Sequence, residues 1–283
     1  MKIFDTALKY LVALGCGLVT VVAVAQDISV TPDVKSSGVF TIASSLDYAP
    51  FEFTDAAGKP SGLDIELATA VAATLAAKLN IVTIPFPSQI PSLATHRVTV
   101  AWSSFSVTEE RLKQVDFVSF LQTSTVASVL PERAKEFRNS DDLCGKTVAV
   151  NRGSAEDFAA DQLRARCTKA TLKPIRKQIL PSQQDCVQAV LTGRADAVFD
   201  DQTAASYYEM TSGRKLVVTP SSYYPTPLGV AVAKGDKATA AMLAGALKKL
   251  MADGTYARIV QKYNMRQSAI KEPTIYTDAS QLK

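Results

Sequence analysis

The chain has one histidine and four cysteines in 283 residues. With a single imidazole and no Cys-x-x-Cys or histidine-rich spacing, neither a zinc site nor a histidine-based catalytic triad can be assembled. Basic charge is not concentrated either. Thirty-one lysines and arginines face 27 acids, for a formal net charge of +4, and they are scattered without a basic block or interleaved aromatics. That pattern excludes nucleic acid as a partner. Nor is there a run long enough to cross a bilayer: residues 11 to 24, "LVALGCGLVTVVAV", are apolar over only about 14 residues. No feature implies a cofactor.

What is present at the N-terminus reads as an export signal. Lys2 and Lys9 flank a short polar start, the apolar run follows, and Ala23-Val24-Ala25 offers small residues for a signal peptidase. Residues 1–25 are therefore expected to be removed by cleavage near Ala25-Gln26. Lipidation at Cys16 is the alternative, although Ala-Leu-Gly before it is a poor lipobox. About 255 residues remain, enough for one large domain or two ordinary lobes.

An exported chain can keep a disulfide. Cys144 and Cys167 bracket a strand and a helix and are expected to be bonded, the alternative being two separate buried thiols. Cys186, in the helical run "SQQDCVQAVLTG", reads as a small buried hydrophobe.

Strand-like and helix-like runs alternate along the mature chain. "GVFTIAS" (38 to 44) is a strand, and "GLDIELATAVAATLAAKL" carries Leu63, Leu67, Val71, Leu75 and Leu79 as one apolar helical stripe. "IVTIPF" and "VTVAW" are further strands around a short helix near "QIPSLAT". After Leu130-Pro131 the pattern restarts. Strands are expected at "KTVAV", "LKPIRKQIL", "ADAVF", "KLVVT" and "LGVAVAK", and helices from Ser154, Ser182 and about Asp201. Residues 237 to 264 read as two helices broken at Asp253-Gly254. The alternation predicts an α/β fold built on mostly parallel sheets.

The stretch "AWSSFSVTEER", residues 101 to 111, gathers small hydroxyl donors and one arginine, as an anion site requires, yet it lacks the glycines of a phosphate loop. Thr108 can cap a short helix with Glu109 and Glu110 in its first turn. Arg111 then stands on a rigid base, where its planar guanidinium can grip a carboxylate through two parallel hydrogen bonds. In "RGSAED", Ser154 and Asp157 form a capping box, and the free N–H groups of that helix end make a second anion clamp.

"SLDYAPFEFTDAAGKPSGLDIELATAVA", "IPSL", "SSFSVTEERLKQVDF", "DLCGKTVAVNRGS", "LTGRADAVFDDQTAASYY" and "LKKLMADGTYARIVQKY" occur in the order seen in the polar amino-acid-binding proteins of bacterial ABC importers. Over about residues 38 to 265 the chain resembles these family-3 extracellular solute-binding proteins, which are type II periplasmic binding proteins. The resemblance implies two lobes, each a mostly parallel sheet flanked by helices, joined by two hinge crossings near 122 to 128 and 222 to 228. The implied organisation is a signal peptide at 1–25 and a flexible N-terminus at 26–37. Lobe 1 is expected at 38–123 and 225–266, lobe 2 at 124–224, and a tail at 267–283. It also implies a periplasmic monomer that binds an amino acid, closes around it and delivers it to a membrane permease.

Carried over position by position, the resemblance assigns ligand contacts to Ser103, Ser104 and Ser106, and the α-carboxylate to Arg111. Gly153, Ser154 and Ala155 contact the ligand from the second lobe, and Asp201, eight residues after Gly193, receives the α-ammonium. Asp200 is its rival. Tyr48 stacks on the ligand side chain, with Phe51, Trp102 and Phe105 as further walls, although a tryptophan ending a strand is more often core. Ser45 stands where several cation-preferring members carry an acid, and Asp47 can substitute from two residues away. Side-chain preference is left open among acidic, amide and basic. Where relatives have Gly-x-x-Asp this chain has His96-Arg97-Val98-Thr99, a turn with His96 at its surface. Two other functions share the scaffold: a dehydratase of the cyclohexadienyl type, for which Glu156 is a conceivable general acid, and a ligand sensor or adaptor.

Overall fold

The computed structural model describes residues 28–282. The expected signal peptide, with Cys16, lies outside these residues. From the N-terminus run α1 (Pro32–Ser37), β1 (Val39–Ser44), β2 (Asp47–Tyr48), β3 (Glu52–Thr54), β4 (Pro60–Ser61), α2 (Leu63–Thr74), β5 (Lys78–Thr83), α3 (Phe86–Leu93), β6 (Val100–Ser106), α4 (Glu109–Leu112) and β7 (Val115–Val129). The chain continues through β8 (Thr147–Asn151), α5 (Ala155–Lys169), β9 (Arg176–Leu180), α6 (Gln183–Leu191), β10 (Ala197–Asp201) and α7 (Gln202–Thr211). It ends with β11 (Val217–Ala233), α8 (Lys237–Ala252), α9 (Thr255–Lys262) and β12 (Ile275–Tyr276).

Among the described residues the principal strands share one hydrogen-bonded path, β5-β1-β6-β11-β7-β10-β8-β9, with β12 beside β7. The outer pairs, β1 with β5 and β6 and β8 with β9 and β10, are parallel, as strand-helix-strand units require. The long strands β7 and β11 lie antiparallel at the centre and belong to both halves. On one side of them the core is built by residues such as Phe40, Leu67, Val71, Trp102 and Phe120; on the other by Val148, Val150, Leu163, Phe199 and Tyr223. Two separate cores bridged by two strands make a two-lobed α/β molecule.

Several expected boundaries move. The apolar stripe of α2 stops at Thr74, because Ala76 takes a left-handed φ of 52° and redirects the chain, so that Leu79 belongs to β5. The strand expected at "IVTIPF" ends at Thr83, since Pro85-Phe86-Pro87 places prolines at a helix start, where their missing N–H is no loss. Within the stretch 26–37, expected to be flexible, Pro32–Ser37 form α1, with Val34 buried and Thr31 N bonded to the Met242 sulfur at 3.4 Å. The expected tail after residue 266 is also packed. Its β12 pairs with β7, and Thr277 O accepts a 2.7 Å hydrogen bond from Lys234, which also pairs with Asp116.

Other local readings are met. Gly254 has φ 80° between α8 and α9, and His96 has φ 54° in its turn. Cys144 and Cys167 are disulfide-bonded with Cα atoms 5.7 Å apart, and Cys186 is a buried free thiol. At Gly62 the chain leaves no room: φ is 118°, and an added Cβ would lie 2.2 Å from the Phe51 carbonyl oxygen. Gly62→Ala is expected to destabilise the protein by about 3 kcal/mol or more, from strain plus overlap. Urea unfolding would read this as a lower midpoint at unchanged slope.

Candidate binding cleft

Both halves turn the C-terminal ends of their parallel strands toward one crevice, the place where open α/β sheets hold ligands. From the first half, β6 supplies the wall. Its residues alternate between two buried faces, with Val100 and Trp102 in one apolar cluster and Ala101 and Phe105 in another. Ser104 breaks the alternation with a left-handed φ of 42° at the strand's end. Its N–H and hydroxyl turn to Asp64, at 2.7 and 3.0 Å.

Arg111 stands within the one-turn helix α4. Thr108 caps it, accepting the Arg111 N–H at 3.3 Å. The guanidinium is buried, donating to the Ser106 carbonyl at 2.8 Å and, across the crevice, to the Gly153 carbonyl at 2.9 Å. The Phe86 and Phe105 rings lie 5.4 and 5.2 Å from it. Burial lowers its pKa to about 10, against the pull of Glu156 and Glu110, so it stays charged at neutral pH.

From the second half, Ser154 caps α5 by accepting the Asp157 N–H at 3.1 Å, while the Asp157 carboxylate accepts the Gly153 N–H at 2.9 Å. The expected capping box therefore closes on the glycine one residue earlier. Lys177 pairs with Asp157 at 2.7 Å and braces this end.

The two aspartates ending β10 divide their tasks. Asp201 lines the cavity; its Oδ1 caps α7 through Thr203 N and Ala204 N, at 2.7 and 3.3 Å. Its Oδ2 is buried without a hydrogen-bond partner among the described residues, with the Thr123 hydroxyl beside it. Burial raises this carboxyl to about 6. Asp200 points elsewhere, accepting the Tyr48 hydroxyl at 2.6 Å and Asp201 N at 2.8 Å, and burial pushes its pKa well up. Tyr48–Asp200, Arg111–Gly153 and a Gln184 side chain on the Asp47 carbonyl join the two halves across the crevice.

Of the residues expected at the site, Tyr48, Ser103, Ser104 and Ser106 line the cavity from the first half, with Arg111. Ser154, Ala155 and Asp201 face them from the second. Four do not line it. Phe51 is fully buried, because its backbone carbonyl accepts Asp64 N at 2.8 Å and draws the residue under the loop. Trp102 is fully buried against Phe120, ring centroids 5.7 Å apart, on the β6 face that meets α2 and α8. Gly153 contributes only its carbonyl, to Arg111. Phe105 serves beneath the guanidinium and stacks on Phe86 at 4.7 Å.

The cavity also contains Phe86, Asn151 and Gln183, which the sequence does not assign to it, Glu156, which enters there only as a conceivable general acid, and Ser45 and Asp47, which enter only through side-chain preference. Asn151 and Gln183 carried a usable signal, since one ends a strand and the other begins a helix after a strand. Phe86 is hidden in the sequence because "IVTIPF" has the pattern of a strand ending on it, whereas it opens α3.

A crevice between two lobes, a guanidinium on one side and a carboxylate on the other, defines a solute-binding protein of the type II periplasmic class. Residues 40–266 match the model of the bacterial extracellular solute-binding proteins, family 3, and the chain belongs to that family. An L-arginine-binding protein of Pseudomonas aeruginosa is 27% identical over 248 residues, 85% of this chain and 93% of that protein. The lysine/arginine/ornithine-binding periplasmic protein of Escherichia coli is 29% identical over 78% of this chain and 86% of its own. Among solved structures, the ancestral amino acid-binding protein AncCDT-1, a precursor of cyclohexadienyl dehydratase, superposes with TM-score 0.74 at 29% identity, covering 82% of this chain and 97% of that one. An ancestral arginine-binding protein bound to arginine gives 0.71 at 28% identity, over 80% and 98%.

Proposed function

We propose that this protein binds an L-amino acid with a cationic side chain in the periplasm, closes its lobes around it and delivers it, as a monomer, to the permease of an ABC importer. One observation carries the side-chain class: the cavity is lined by one guanidinium, Arg111, and three carboxylates, Asp47, Glu156 and Asp201. A zwitterion's α-carboxylate uses the guanidinium and the α5 N-terminus, and its α-ammonium uses Asp201. Asp47 and Glu156 are then left over. A neutral or acidic side chain would meet that surplus unpaired, whereas a guanidinium or ammonium would neutralise it. Ser45 stands where cation-preferring relatives have an acid, so the counter-charge in this chain comes from Asp47 and Glu156. The names of the relatives, which bind arginine or lysine, arginine and ornithine, point the same way.

The test is a thermal-shift panel of the L-amino acids, with ornithine and citrulline, on refolded ligand-free protein. Arginine, lysine or ornithine is expected to stabilise, by about 2.7 kcal/mol at 100 times the dissociation constant. Citrulline, isosteric with arginine but neutral, is expected to bind at least about tenfold more weakly, a gap of about 1.4 kcal/mol. Glu156→Gln should narrow that gap from the arginine side. Preferential stabilisation by glutamate would overturn the side-chain class. Consumption of prephenate without stabilisation by any amino acid would favour a dehydratase with Glu156 as its acid.

A further inference from the structure

Behind the serine wall two carboxyl groups lie buried side by side. Glu52 on β3 and Asp64 at the start of α2 are each 0% exposed, and Asp64 N donates to the carbonyl of Phe51, the residue before Glu52, at 2.8 Å, which sets the two carboxyls beside one another. Two ionised carboxylates so placed repel strongly, so the pair holds a proton. The surrounding donors decide where it sits. Asp64 Oδ2 accepts Ser104 N at 2.7 Å, and the Ser104 hydroxyl lies 3.0 Å from each Asp64 oxygen. Glu52 Oε1 receives a 3.4 Å bond from the Ser45 hydroxyl, and its Oε2 is buried with no partner among the described residues. Both Asp64 oxygens thus accept from Ser104, whereas one of the two Glu52 oxygens has no donor among the described residues.

We propose that Glu52 is a neutral carboxylic acid donating its proton from Oε2 to Asp64, and that this pair positions Ser103 and Ser104 at the binding cavity. The proton gives the orphaned oxygen a partner and adds one more donor to Asp64, whose charge is then held by Ser104 and Glu52 together. The charged neighbours agree. Burial pushes Glu52 well up, Asp64 and Asp47 push it further, and Asp201 acts on Asp64 in the same direction. Ser45, Ser103 and Gln89, which pack around the pair, are neutral.

The consequence reaches the site through the serines. Ser103 Oγ accepts Gln89 Nε2 at 2.9 Å and Ser45 N at 3.3 Å, and the Ser45 hydroxyl in turn reaches Glu52 Oε1 at 3.4 Å. Ser104 is held in its left-handed conformation by Asp64. The Ser104 hydroxyl is therefore used inside the wall, and the acid pair sets where β6 ends and where the Ser106 carbonyl meets Arg111.

The variants are Glu52→Gln, which keeps a neutral donor toward Asp64 and an acceptor for Ser45, and Glu52→Ala, which keeps neither. Glu52→Gln is expected to bind arginine within about twofold of wild type, and Glu52→Ala at least about tenfold more weakly, the effect of leaving buried polar groups unpaired. This arm rests on the amino-acid reading of the cavity. A second does not: in ligand-free full-length protein labelled with 13C at glutamate Cδ, the resonance lost in Glu52→Gln is expected at the shift of a neutral acid and unchanged from pH 5 to pH 8, roughly the window in which exposed glutamates are ionised. A Glu52→Gln variant as weak as Glu52→Ala overturns the proposal, as does a carboxylate shift for Glu52 at pH 7. Failure of every amino acid to bind, with Glu52 still neutral by NMR, would overturn the ligand reading and leave the acid pair standing.

Discussion

Arg111→Met is expected to abolish binding while leaving the fold at least as stable as wild type. The guanidinium is buried between two phenylalanine rings, and its protein partners are the carbonyls of Ser106 and Gly153. A buried cation without a bonded carboxylate is costly, and methionine fills the same apolar slot without that cost. On the proposed reading, the ligand's α-carboxylate is the missing partner. Losing a buried charge-to-charge contact weakens association by about 3 kcal/mol or more, at least about a hundredfold in dissociation constant. Calorimetric titration with arginine and urea unfolding of the same preparation read the two effects separately. A parallel loss of stability and binding would mean that Arg111 serves the fold.

Asp201→Asn is expected to give the second largest effect, together with a changed pH profile. Asparagine still caps α7, so the helix is kept; what disappears is the charge opposite the α-ammonium. The expected loss is about 2 to 3 kcal/mol. In the wild type, burial has raised this carboxyl to about 6, with Glu156 adding to the effect. A cationic group binds the ionised form, so protonation competes with the ligand. Affinity should therefore hold above about pH 6 and fall as pH drops through it, approaching tenfold per unit. Tyr48 faces the same space and stays neutral, because burial raises its hydroxyl well above the ordinary tyrosine range. The Asn variant should lose the part of the slope that belongs to Asp201, and identical profiles in both proteins would contradict its role.

Much of this architecture was legible because periodicity and caps are local. The α2 stripe, the Thr108 and Ser154 caps, the Gly254 break and the Cys144–Cys167 pair all follow from residues near one another in sequence. The illegible parts were set by distant contacts. Trp102 and Phe51 look like cavity aromatics until β6 and the loop before α2 are given a direction, which depends on helices that come much later. The N-terminal and C-terminal segments look polar and loose, yet Val34 and β12 find partners on the finished surface. Asp200 and Asp201 could not be separated by adjacency alone: consecutive strand residues face opposite ways, and only the arrangement of the lobes shows which way is the cavity.

The most direct test is a crystal structure of the refolded protein with arginine. The α-carboxylate is expected on the Arg111 guanidinium and the α5 N-terminus, the α-ammonium within about 3.2 Å of Asp201 Oδ2, and the side-chain guanidinium between Asp47 and Glu156. An α-ammonium bonded to Asp200 with Asp201 turned away, or an arginine lying outside the crevice, would contradict the account.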